Sequence, residues 1–143
     1  MRPVAAALAV STMLLAGCGS SPTAASAQSR PVVESLSPNS GRIGAQVNIS
    51  GSGFTASGNT VAFTAMVLAP GAQMPNEPSI IPNLASNGSV IVFNILPVWR
   101  PACSYSPSGP CPIGNFPTAP GTYGVVVTNE FGASNSAILT VLP

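Results

Sequence analysis

Beyond residue 30, apolar and polar side chains alternate through most of the chain. Val47 and Ile49 alternate with Asn48 and Ser50, and Val61 and Phe63 with Thr60, Ala62 and Thr64. Residues 89–96 (SVIVFNIL) and 122–128 (TYGVVVT) are β-branched and aromatic, and Ala137, Leu139 and Val141 alternate with Ile138 and Thr140. Val33 and Leu36 mark one more such run in VVESLSP. Period-two runs bounded by Gly, Pro, Asn and Ser clusters predict strands. No window carries a capped helical stripe with charged faces, so no helix is expected here. The punctuation agrees. Ser37-Pro38-Asn39-Ser40-Gly41 is a turn with Pro at its second position. Gly51-Ser52-Gly53 ends a run with residues that tolerate positive φ, and Phe54 follows as a core plug. Asn129-Glu130-Phe131-Gly132 has hairpin length. About seven short strands with turns between them predict an all-β fold, a β-sandwich.

The first 30 residues follow another pattern. Met1, Arg2 and Pro3 form a short basic start, and residues 4–16 are an apolar run broken only by Ser11 and Thr12. The run is shorter than the ~20 residues of a membrane-spanning helix. A basic start, a short apolar core and small residues at its end predict a secretory signal peptide, residues 1–17. An ordinary cleavage site would read A-x-A. Here Leu15-Ala16-Gly17-Cys18 resembles the bacterial lipobox, which implies a diacylglycerol thioether on Cys18, often with an added N-acyl chain such as palmitate, and cleavage between Gly17 and Cys18. The plain alternative is a free or disulfide-bonded Cys beside a normal cleavage site. Gly19 stands where an Asp tends to retain such lipoproteins in the inner membrane, so the resemblance implies the outer membrane. Residues 18–30 hold the lipidated Cys and a Ser/Ala-rich run with little to bury, a flexible spacer. Residues 31–143 are one domain's worth of chain.

Composition narrows the function. Charged residues are 5% of the chain, against about 25% in an ordinary soluble domain. After the leader, Arg30, Arg42 and Arg100 balance Glu34, Glu77 and Glu130. With no basic patch, nucleic acid is not an expected partner. Near-neutrality favours association, which fits either a tethered chain that need not be very soluble or a surface that packs on a partner. Cys103 and Cys111 bracket SYSPSGP. Export would place them in an oxidising compartment, where a disulfide is expected. Closing so short a loop is worth roughly 2–3 kcal/mol in the chain-entropy account.

Two separated stretches carry a family resemblance. PVVESLSPNSGRIGAQVNISGSGFTASGNTVAF (31–63) resembles the opening of an IPT/TIG domain through Pro31, Val33, Ser37, Pro38, Gly41, Val47, Ile49, Gly51 and Phe54. PGTYGVVVTNEFGASNSAILTV (120–141) resembles its close through Gly121, Tyr123, Val125, Val127, Asn129, Gly132, Ser134, Asn135, Leu139 and Val141. The resemblance implies an immunoglobulin-like, E-set sandwich of the kind found in surface receptors, beside sugar-acting catalytic domains and in some transcription factors. The chain departs from the pattern between the two stretches. Residues 97–119 form an inserted Pro-rich loop with six Pro, both Cys, Trp99, Arg100, Tyr105 and Phe116. Residues 69–88 form a second long link. Loops of this length in compact domains are usually functional or disordered; the prolines and a disulfide would favour order.

Catalysis is not expected. The chain has no His, Asp or Lys, so a Ser or Cys nucleophile lacks an orthodox base. Glu34, Glu77 and Glu130 are spread over a strand, a loop and a turn, with no spacing that suggests a catalytic pair. Zinc wants about four Cys, His or carboxylate ligands and calcium several carboxylates; no metal and no cofactor is expected. Recognition remains. Trp, Tyr and Arg dominate binding hot spots, so Trp99, Arg100 and Tyr105 are the candidate binding residues, for an envelope protein or a glycan. The alternative places Trp99 over one end of the sandwich, with the loop as its closure. A third reading is a structural spacer or coat with no ligand. Asn48-Ile49-Ser50 and Asn87-Gly88-Ser89 match the N-glycan sequon, read as chance in a bacterial lipoprotein.

Overall fold

A computed structural model describes residues 29–75, 77–105 and 116–143, with the backbone alone at 104 and 105. The expected signal peptide (residues 1–17), Cys18, Cys111 and most of the expected spacer lie outside the described residues. The strands are β1 (Val32–Ser37), β2 (Ser40–Gly41), β3 (Gln46–Ser52), β4 (Asn59–Leu68), β5 (Ser79–Leu84), β6 (Val90–Asn94), β7 (Gly121–Asn129), β8 (Gly132–Ala133) and β9 (Ala137–Val141). Seven of them have five residues or more; six of these match the runs marked in the sequence, and β5 does not. The helical turn among the described residues is 3₁₀, Ala102–Tyr105.

Two sheets form. The smaller has the order β1-β3-β6; the larger runs β2-β9-β7-β4-β5, with β8 on β7. The chain crosses between them after β1, so that β2 pairs parallel with the last long strand, β9, while the longer strand pairs are antiparallel. This is an immunoglobulin-like sandwich. The alternating apolar residues meet in its interior: Val33, Leu36, Val47, Ile49, Ile91 and Phe93 from the smaller sheet, Val61, Phe63, Tyr123, Val125, Val127, Leu139 and Val141 from the larger. Phe63 and Phe93 touch edge-on across the gap, ring centroids 5.2 Å apart.

Three departures from strict alternation have local causes. Val33 and Leu36 are three apart yet both buried, because a bulge shifts the register between Val33 and Ser35. A second bulge, between Ala65 and Val67, leaves Met66 and Val67 both exposed. The third departure is β5, which the sequence reading left inside the 69–88 link. Its SIIPNL sequence carries Pro82 and Asn83, the latter at φ 59°. Both are unfavourable in a central strand; at a sheet margin the missing N–H costs no ladder bond.

Asparagine side chains fasten the loops. Asn59 is fully buried. Its Oδ1 accepts from Thr55 N–H and Thr55 Oγ1, and its Nδ2 donates to Thr55 O and Leu84 O. Asn135 accepts from Val33 N–H and donates to Val33 O, which ties the approach to β9 to β1 of the other sheet. Asn129 donates to Gly53 O. Among the described residues no buried side-chain N or O lacks a partner. The glycine at 51 is obligatory in this packing: a Cβ there would lie 1.9 Å from Val32 O and 2.8 Å from the Phe54 ring.

Candidate functional site

The Pro-rich insertion is drawn against the body of the domain at both ends. Trp99 N–H donates to Phe116 O, and Thr118 N–H to Pro97 O, so residues 97–99 run beside 116–118. The chain then passes β5: Ile80 N–H donates to Arg100 O, Ala102 N–H to Pro78 O, and Arg100 N–H to Ser79 Oγ. Ser79 is buried. The insertion thus extends the larger sheet past β5 and covers its margin there.

The structure corrects Trp99 as an exposed aromatic platform and agrees with the alternative reading that packs it on the sandwich: the indole is 4% exposed and belongs to the core. It stands 5.7 Å from the Tyr123 ring, tilted by 40°, and its Nε1–H donates to Glu77 O. A ring enclosed in this way has no face to offer a ligand. Arg100, next in sequence, is exposed and fixed through its backbone. Tyr105 ends the 3₁₀ turn that also holds Cys103, and its side chain lies outside the described residues. Of the three candidate binding residues, Arg100 is the one the described structure presents at the surface.

A cavity of about 20 Å³ lies beside Trp99, bounded by Phe63, Ser79, Ile95, Thr118, Tyr123 and Leu139 among others. It has room for about one water, whereas ligand pockets span roughly 300–1,000 Å³. As it stands, the space is too small to enclose a ligand of ordinary size.

Tyr123 opens β7, and its hydroxyl donates to Ala119 O four residues upstream. This is the tyrosine-corner arrangement of immunoglobulin-like domains. Burial pushes the phenol above its ordinary value of 10.0. A group whose folded pKa is raised contributes stability that is fully present below the unfolded pKa, and that stability is lost as pH rises through the folded value. Stability is therefore expected to fall above about pH 10 through Tyr123. Denaturant unfolding at pH 7, 9 and 11 checks this, with Tyr123→Phe as comparison. The wild-type chain should lose more between pH 9 and 11 than the variant; equal losses would show that Tyr123 is not the group responsible.

The carboxylates do not converge. Glu34 stands on β1, Glu77 in the approach to β5 and Glu130 in the turn between β7 and β8, all exposed. Among the described residues no three of His, Cys, Asp and Glu are grouped as a metal site would need.

The outer faces of the two sheets differ. On the smaller sheet the outward positions are mostly Ser, Asn and Gln, with Glu34 and the exposed Val32 and Val92. On the larger sheet, outward positions of β4, β7 and β9 are Thr, Ala, Val, Met, Ile and Gly, with no charged residue. No protein-family model matches the chain, and no curated protein matches it.

Proposed function

We infer that the chain is an exported bacterial lipoprotein, carried on the outer membrane by a lipid on Cys18, and that its sandwich is a non-catalytic interaction module. The observation that carries this reading is the placement of Leu15-Ala16-Gly17-Cys18 at the end of a short apolar run behind a basic start. The rest of the chain is consistent with it. The core among the described residues runs from Val33 to Val141, and residues 18–30, read as the lipidated Cys and spacer, precede it. The IPT/TIG reading gains physical sense from residues that carry the resemblance: Gly51 admits Val32 and Phe54, Asn129 and Asn135 join loops to strands, and Tyr123 makes the corner. A Cys103–Cys111 disulfide would staple the insertion in an exported protein.

Interaction is favoured over catalysis by residue chemistry: a chain without His, Asp or Lys, and with dispersed glutamates, has no orthodox acid–base apparatus. Glycan binding through a Trp99 platform loses its basis with the burial of that ring. The test is the mass of the mature N-terminal peptide from membrane-purified protein. It should begin at Cys18 and carry the mass of a diacylglycerol and an acyl chain. An unmodified Cys18, or a chain that begins elsewhere, would overturn the reading.

A further inference from the structure

We propose that the outer face of the larger sheet is a self-association surface that receives the same face of a second copy of this chain. The inference rests on the tethered-module reading and deepens it by naming the surface and the partner.

The face is open and apolar at its centre. Met66 is 60% exposed, Val67 67% and Ile138 49%. They sit on β4 and β9, either side of Gly124 on β7, since Thr64 pairs with Gly124 and Gly124 with Ile138. A Cβ on Gly124 would meet Ser136 Oγ at 3.0 Å and Met66 Sδ at 3.6 Å, so the absent side chain lets its neighbours close over a low centre. The bulge beside Met66 turns two successive apolar side chains outward instead of one. That is a costly arrangement on an unpartnered face.

Three observations select a second copy as the occupant. The first is charge. Every charged side chain from residue 30 onward belongs to a loop, a turn or β1, and none lies on the outward positions of β4, β7 or β9. A charged partner would find nothing to pair with, whereas an uncharged face matches its own copy without repulsion. The three arginines and three glutamates also leave the two bodies without net repulsion. The second is size. β5, β4, β7 and β9 lie side by side and β7 is nine residues long. At about 4.8 Å between strands and 3.4 Å per residue, the face projects roughly 600 Å², and more with side-chain relief; a stable association buries about 800 Å² per partner. The third is the protection of the sheet margins. The insertion covers part of β5, Pro82 interrupts the rest, and β2 covers the end of β9. Strand-to-strand addition is thereby discouraged, and the face is left. A two-fold axis along β7 near Gly124 would set Met66 of each copy against Ile138 of the other.

The experiment uses full-length chains in their own membranes. One copy carries Met66→Cys and one tag, the other Ile138→Cys and a second tag, and a short bismaleimide is added. The comparison pair, Asn48→Cys with Val92→Cys, lies on exposed positions of the smaller sheet. Wild-type chains set the background from native cysteines. The expected mixed-tag product is ~10-fold above the comparison pair, since tethering raises the local concentration of copies that already fit. As a second measurement, the detergent-solubilised wild-type chain should sediment as a dimer and the Met66→Lys/Ile138→Lys variant as a monomer. Product equal to the comparison pair, or a monomeric wild-type chain, overturns the proposal. So does capture of a different protein at these positions without mixed-tag product. Fractionation of the same cells separates the two readings: a chain that cross-links but is soluble keeps the face and loses the tether.

Discussion

Trp99→Ala is expected to remove about 3–5 kcal/mol of folding stability. The indole is 4% exposed, packs on Tyr123 and closes the end of the core where the insertion crosses β5. Its loss would enlarge a cavity that already measures about 20 Å³, and the walls formed by Phe63, Tyr123, Leu139 and Val141 belong to strands that cannot easily collapse inward. The lost Nε1–H bond to Glu77 O adds little, because Glu77 is exposed and water can replace the donor. Thermal unfolding should show a decrease on the order of 15–25 °C in Tm. Trp99→Phe, which keeps a ring in the site, should lose much less. Arg100→Ala, at an exposed side chain held by its backbone, should stay within ~0.5 kcal/mol. An exposed recognition platform makes the opposite forecast: Trp99→Ala would leave Tm unchanged and act only on binding. The two accounts are separated by one melting curve.

Six of the seven longer strands could be read from alternation and turn residues, because one buried face imposes period two on the sequence. β5 could not. Pro82 and Asn83 belong to the vocabulary of loops, and only the long-range pairing of Ser79–Leu84 with β4 and with the insertion makes the segment extended. The bulges were equally silent. An extra residue in one strand is defined by what stands opposite it, which a single sequence does not display. Val33 and Leu36 at a spacing of three were the one local hint.

The candidate site was less legible than the fold. A Trp in a Pro-rich insertion has the same local sequence whether it faces water or core; Trp99 is buried because residues 116–118 return beside it and Tyr123 lies beneath. Asn59 and Asn135 behave similarly. Each is polar in a strand-rich chain, and the partners that explain it, Leu84 and Val33, lie far away in sequence. The uncharged outer face has a trace in the sequence. Charge is so sparse that the runs from 43 to 76 and from 131 to 143 contain none, and together they supply β4 and β9.

The largest effect on location should come from Cys18→Ala. A single acyl chain gives only marginal membrane binding, while two or more hold a protein firmly, at ~0.8 kcal/mol per buried CH₂. Among the described residues no helix is long and apolar enough to span a bilayer, and the charge balance gives little attraction to anionic headgroups. The substitution also converts residues 16–18 into the small-x-small pattern of an ordinary cleavage site, so export and processing should continue without lipid. The most direct test of the account is therefore fractionation of cells that express either chain, with salt and alkaline washes of the membranes. The wild-type chain is predicted to stay with the membranes until detergent is added, and the processed Cys18→Ala chain to appear in the soluble extracytoplasmic fraction. A wild-type chain that is already soluble, or a processed variant that remains on the membrane, would contradict the tether at Cys18.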